Sequence, residues 1–254
     1  MTKKPLGITI YQGPSELDGK QIVVIANFTS SNVKIGNMLQ FWIMRCDINP
    51  ILATKLGEDK SICGDCKHRD FGSCYVNLAH GPVHIFDAYH RRRYEYYTPE
   101  KLSFFKDKFL RLGAYGDPAA VPIEIWDNVC SVSKGYTGYT HQWKNCNTEL
   151  KKYCMASVDS ERELEVAQNM GWRTFRTRTP DSVITSNEFA CPVSREAGKK
   201  TTCDERGACM GINTNLTKSP TIIVHGAEFK VNKYIAGVKK IRNKKKYKRE
   251  FIKI

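Results

Sequence analysis

The chain has 254 residues, 41% of them apolar, with 12 Tyr, 11 Phe and 4 Trp. That composition supports a sizeable buried core and excludes disorder as the default. The formal net charge is +14. No apolar run reaches the ~18 residues that a membrane-crossing helix needs, so no membrane partner is expected.

The N-terminal segment Met1-Thr-Lys-Lys-Pro-Leu-Gly7 lacks the apolar stretch of a secretory signal, which predicts an intracellular setting. Thiols stay reduced there, and this favours metal ligation over disulfides. Residues 1–36 alternate β-prone runs, Gly7 to Tyr11 and Gln21 to Asn27, with turn residues. They read as a β hairpin or edge strands packed on the core. Asn37 to Arg45 is a near-continuous apolar run and reads as a buried strand. A long polar connection follows. A loop of that length in a compact domain is functional or held by a ligand.

After residue 100 the pattern alternates between strand and helix. Phe109 to Gly113 reads as a strand, and Asp117, Pro118 and Pro122 open a helix with Ile125, Trp126, Val129 and Val132 on its apolar face. Gly138 to Trp143 reads as a strand, Thr148 to Lys152 as a short helix, and Cys154 to Val158 as a strand. Ser160 and Glu163 form a capping box, and the helix they start is expected to end at Gly171. Arg173 to Thr177 and Thr221 to His225 read as two further strands.

Short alternating units predict an α/β fold with parallel strands. We expect a partial (β/α) barrel over residues 37–238, with the cysteine-rich loops at one rim. Chemistry in such folds collects at the C-terminal ends of the strands. Those ends carry Tyr115, Gly116, Asp117, His141, Gln142, Ser157, Asp159, Arg176, Arg178, Cys191 and His225. Asp117, His141, Asp159 and His225 are the candidate catalytic residues. Asp117 also reads as a helix N-cap, and His141 reads equally as a hydrogen-bonded core histidine.

Six of the ten cysteines fall into two groups, Cys63, Cys66, Cys74 and Cys191, Cys203, Cys209. Glycines, acids and bases surround both groups, so these are polar loops and candidate metal ligands. Each group offers three thiols, whereas a structural zinc site closes with four ligands. His68 could complete the first group, the two groups could pool their thiols, or three thiolates could hold an iron–sulfur cluster with one open iron. Arg206 stands between Cys203 and Cys209.

The three-cysteine loop after the first buried strand resembles that of the radical S-adenosylmethionine enzymes. So does the turn Gly113-Ala-Tyr-Gly-Asp-Pro118 after the next strand. The spacing differs: that superfamily separates its cysteines by three residues and then two, and this chain by two and then seven. The resemblance implies a partial barrel, an iron–sulfur cluster, and S-adenosylmethionine at Tyr115, Gly116 and Asp117. A second resemblance rests on Cys63-Gly-Asp-Cys-Lys-His-Arg69, Arg111 to Pro118, Gly138 to Trp143, Cys154 to Asp159 and Gly171 to Arg176. This combination looks like cysteine-cluster proteins of phages and plasmids that have no assigned activity. If the chain is phage-encoded, the host cytoplasm is its compartment.

Residues 239–254 hold nine cations against one acid, Glu250. Such a block repels itself and reads as a flexible arm. Lys244, Lys245, Lys246, Lys248 and Arg249 are candidate phosphate contacts for nucleic acid. Three readings follow: an iron–sulfur or zinc protein similar to the radical S-adenosylmethionine enzymes, a zinc-stabilised DNA-associated protein of a mobile element, or a partial barrel that binds a small ligand without turnover.

Overall fold

The computed structural model of the chain describes residues 5–29 and 32–251, without the side chains of 242–251. Strands β1 (Gly7–Pro14), β2 (Gln21–Asn27) and β3 (Leu39–Arg45) form an antiparallel meander. Their side chains are buried on both faces, from Ile22 to Ala26 and at Phe41 and Ile43. That explains why these stretches read as apolar runs and not as alternating strands.

The connection after β3 is not the loop that its polarity predicts. It folds into α1 (Pro50–Leu56), α2 (Lys60–Cys63), α3 (Lys67–Phe71) and α4 (Gly81–His90). The first of these is set by local signals: the Asn49 side chain accepts from the Ile51 N–H, Pro50 occupies the first turn, and Gly57 ends the helix at φ +75°. The short strand β4 (Glu95–Tyr96) then adds to β1, and a 3-10 turn, Pro99–Phe105, leads into β5 (Phe109–Tyr115).

The second half alternates as the sequence predicts. The helix expected from Asp117 to Val132 is divided in two. A 3-10 turn, Pro118–Ala120, precedes α5 (Ile123–Ser131), because Pro122 interrupts the backbone donors between them. Strand β6 is Gly135–Thr140, so it lies upstream of the expected Gly138 to Trp143. His141, Gln142 and Trp143 have left the sheet, and their polar groups are met by other elements. The His141 N–H donates to Asp117 at 2.7 Å, the Gln142 N–H to Thr140 Oγ1 at 2.9 Å, and the Trp143 indole to the Ser157 carbonyl at 3.2 Å.

A 3-10 turn, Thr148–Lys152, precedes β7 (Met155–Val158), α6 (Glu161–Asn169) and β8 (Thr174–Arg178). The remaining elements are β9 (Glu188–Ala190), α7 (Cys203–Arg206), β10 (Ser219–Ile223) and α8 (Glu228–Phe251). The helix bounds of α8 thus run through most of the basic segment. The side chains of Lys244, Lys245, Lys246, Lys248 and Arg249 lie outside the described residues.

The ten strands form one sheet in the order β4-β1-β2-β3-β5-β6-β7-β8-β10-β9. From β3 onward every neighbouring pair is parallel. The sheet ends in β4 and β9 and does not close. One apolar cluster runs from Ile8 in β1 to Trp172 before β8, so the N-terminal meander and the parallel strands share a core. At its centre Phe41 stacks on Phe105 with ring centroids 5.9 Å apart and meets Trp126 of α5 edge-on at 5.5 Å. No described helix is long and apolar enough to cross a membrane.

Candidate metal centre and its polar neighbours

The first cysteine loop is built by α2 and α3. Asp59 starts it. Its carbonyl accepts the Cys63 N–H at 2.9 Å, and its carboxylate takes the Arg69 guanidinium at 3.0 and 2.6 Å. Arg69 also donates to the Gly64 and Gly57 carbonyls, so one planar cation ties both ends of the loop. Gly64 turns the chain at φ +53°, and a Cβ there would meet the Gln142 amide at 2.5 Å.

That close approach lets Gln142 grip the loop from both sides. Its Nε2 donates to the Cys63 carbonyl at 3.0 Å, and its Oε1 accepts the Asp65 N–H at 3.3 Å. The Asp117 N–H donates to the Ile62 carbonyl at 2.6 Å. The loop is therefore bonded to the residues that follow β5 and β6.

Cys63, Cys66 and Cys74 lie within electrostatic reach of one another. Burial is the main effect on all three and holds them protonated, with Cys66 pushed up to about 12. Two backbone donors work in the opposite sense. The His68 N–H points at the Cys66 sulfur and the Val76 N–H at the Cys74 sulfur, each two residues along the chain. Hydrogen bonds of that kind stabilise a thiolate and tune a bound metal. Among the described residues, no group of three or more His, Cys, Asp or Glu side chains stands ready as a metal-ligating set.

A polar cluster lies beside the loop. Lys67 and His68, directly after Cys66, reach the residues that follow β7. Lys67 Nζ is 2.8 Å from Asp159 and 2.8 Å from Glu163 of α6. His68 Nε2 is 3.3 Å from Asp159 Oδ1, and its Nδ1 is 2.9 Å from Ser73 Oγ. Tyr234 of α8 donates to the Thr177 carbonyl at 2.7 Å, lies 3.2 Å from Asp159 Oδ1, and stacks on the His68 ring at 5.6 Å. Burial works to raise the Asp159 carboxyl, but the hydrogen bond to His68 and the charges of His68, Lys67 and His141 hold it below the usual range. The capping box expected at Ser160 takes a variant form. Ser160 Oγ accepts the Glu163 N–H, and Glu163 reaches back to the Asp159 N–H, one residue further than the usual partner.

His141 completes the group. Its ring meets His68 edge-on at 5.2 Å, and its buried Nε2 has no hydrogen-bond partner among the described residues. Burial, with His68 next, depresses its pKa to about 4, so the ring is neutral at pH 7. Asp117 stands at the same end of the sheet but is spent on the backbone: its carboxylate accepts the Ala119 and His141 N–H groups at 3.0 and 2.7 Å. Burial raises it to about 6.

Tyr115 is buried, and a Cβ on Gly116, at φ +79°, would meet the Ile43 carbonyl at 2.7 Å. This turn packs against β3 and has no free carboxylate to offer a cofactor such as S-adenosylmethionine. His225, by contrast, is exposed, and its ring nitrogen faces its own chain at the Ile223 carbonyl, 3.1 Å away. The structure thus brings His141, Asp159 and the first cysteine loop together, and among the described residues the His225 ring bonds only to the Ile223 carbonyl. Arg176 is also structural, because its guanidinium is buried against Glu188 at 2.8 and 2.6 Å.

Cys203 and Cys209 of the second group are not at this end of the sheet, whereas Cys191 directly follows β9. Strands β9 and β10 are parallel neighbours, so the chain between them must return to the starting end of β10. That return carries Cys203 and Cys209 with it. Arg173, just before β8, holds the Met210, Ala208 and Lys218 carbonyls at 2.5, 3.3 and 2.9 Å. Asp204 accepts the Asn37 N–H, just before β3, at 2.9 Å. Cys203 and Cys209 are thus bonded to residues that precede β3 and β8 and not to those around the first cysteine loop.

Sequence reasoning had named His68 only as a possible zinc ligand, Glu163 only as a cap and Gln142 only by its place at a strand end. It missed Tyr234. The position of Lys67 and His68 next to Cys66 was a usable signal, whereas Tyr234 had none. No family model, no curated protein and no solved structure matches the chain.

Proposed function

We propose that the chain is an iron–sulfur protein of the partial-barrel type, with its cluster on Cys63, Cys66 and Cys74 at the C-terminal ends of the parallel strands. The observation that supports this reading is three thiols on one loop, within electrostatic reach of one another, with backbone N–H donors on two of the three sulfurs. Free thiols gain little from such donors, whereas metal-bound thiolates are strengthened by them.

Three thiols favour a cluster with an open iron over a closed zinc site. His68 would be the nearest fourth ligand, but both its ring nitrogens are engaged, by Ser73 and Asp159. The cluster would supply redox chemistry and one open coordination position. The chain's own contribution is a neutral imidazole, His141, with a buried nitrogen free to meet a ligand. Zinc would suit the alternative of a DNA-associated protein, but the basic side chains on which that reading depends lie outside the described residues.

Anaerobic reconstitution of the full chain with ferrous iron and sulfide tests the proposal. It predicts a brown protein with iron and acid-labile sulfide, and a large loss of both in a Cys66→Ala variant. A colourless protein that binds zinc in preference to iron, or equal iron in the variant, would refute it.

A further inference from the structure

We propose that Ser73, His68 and Asp159 form a nucleophile–base–acid relay, with Ser73 as the attacking hydroxyl and a carboxylic ester as the class of substrate. The proposal stands apart from the iron–sulfur reading, because it uses no metal and no cysteine side chain. Its basis is a continuous line of side-chain contacts. Ser73 Oγ lies 2.9 Å from His68 Nδ1, and His68 Nε2 lies 3.3 Å from Asp159 Oδ1. A carboxylate at Nε2 keeps the ring proton on that nitrogen, so the Nδ1 lone pair faces the hydroxyl and can take its proton. The two ring nitrogens exchange the roles they have in the Ser-His-Asp triad of serine proteases, an arrangement defined by geometry and roles and not by sequence position.

Each member is held in place. Ser73 and His68 share one turn: the Ser73 N–H donates to the His68 carbonyl at 3.0 Å, and Gly72 between them bends the chain at φ +62°. The Tyr234 ring lies within 13° of parallel to the His68 ring and fixes its plane. Asp159 comes from the other side, after β7. Its side chain is 3% exposed, and Lys67 pairs with Oδ2 at 2.8 Å, which leaves Oδ1 to His68 and the Tyr234 hydroxyl. Ser73 is buried, but Gly72 and Cys74 on either side of it are exposed, so it lies just beneath the surface. The Cys74 N–H makes no hydrogen bond to a described residue. In α/β-hydrolases the N–H of the residue after the nucleophile serves the oxyanion, and one oxyanion donor contributes a factor of about 10² to 10³. In the step, Ser73 Oγ bonds to the ester carbonyl carbon as its proton passes to His68 Nδ1. The carbonyl then reforms, the bond to the alkoxy group breaks, and the alcohol leaves with the proton from His68. Water, giving a proton to His68, next cleaves the acyl–serine ester, and Ser73 recovers its proton as the carboxylic acid departs.

The test uses a fluorophosphonate, which loses fluoride to an activated serine and stays bonded to its oxygen. The full chain is incubated with the probe in native buffer and in concentrated urea, and the adduct is located by peptide mass spectrometry. The expected result is an adduct on Ser73 in the native chain and none in urea. A His68→Ala variant should label about a hundredfold or more slowly. Added imidazole should restore part of that rate, which a merely structural loss would not show. No adduct on Ser73 in the native chain, or equal labelling in urea, overturns the proposal, and this comparison needs no variant to fold. A His68→Ala variant with native near-ultraviolet circular dichroism that labels at the wild-type rate, or gains nothing from imidazole, overturns it too. Iron on the cysteine loop is measured separately, so either reading can fail without the other.

Discussion

His141 is held neutral in a crowd of charges. Lys67, His68, Asp159 and Glu163 all act on it, and burial dominates them. Its pKa falls from an unfolded value near 6.5 to about 4. A depressed folded pKa stabilises the native state fully above the unfolded value, and that contribution is lost as pH falls through the folded value. The loss therefore spans pH 6.5 down to 4 and amounts to about 3 kcal/mol at most. Asp117 acts in the opposite direction. Burial raises it to about 6, so its contribution is present at low pH and is lost as pH rises from near 4 to 6. The two partly cancel in the wild type. The stability difference between wild type and a His141→Gln variant isolates the histidine. Urea unfolding across the pH range should show that difference moving against the wild type from pH 6.5 to 4. A difference that stays constant would mean that His141 is not desolvated as its surroundings imply.

The element that matters most is the loop from Asp59 to Cys74, and it is held by very few groups. Gln142 supplies two hydrogen bonds to it and Arg69 four, two of these to Asp59. A Gln142→Ala change removes two bonds worth about 1 kcal/mol each. Amide exchange at Asp65 should then accelerate roughly tenfold or more while the central strands keep their protection. Unchanged exchange at Asp65 would show that Arg69 alone suffices. These elements were unevenly legible. Strands β2, β3 and β7 follow from apolar runs, and α6 from the Ser160 cap, because those signals are local. The helices α1 to α4 were hidden by their polarity, although Asn49, Pro50 and Gly57 did mark the first of them. The start of β6 was missed because Gly135 fits there only through its contact with Phe109, where a Cβ would come within 2.5 Å. That is a tertiary fact. Tyr234 was illegible for the same reason, since its partners Thr177, Asp159 and His68 come from three other parts of the chain.

At the scale of the molecule, the parallel order of β3, β5, β6, β7, β8 and β10 separates residues that follow the strands from residues that precede them. Residues after the strands gather His141, Asp159, Lys67 and the first cysteine loop. Residues before the strands anchor the return loop with Cys203 and Cys209. The strand–helix alternation foretold the parallel sheet, but the separation of Cys203 and Cys209 from the first loop depends on β9 and β10 being parallel neighbours, which no local pattern encodes. The central claim is that the first loop holds an iron–sulfur cluster. The most direct test is anomalous diffraction at the iron edge from crystals of the full chain grown without oxygen. Iron is expected on the sulfurs of Cys63, Cys66 and Cys74, beside the Gln142 amide. An ordered loop with no iron on these three sulfurs would contradict it.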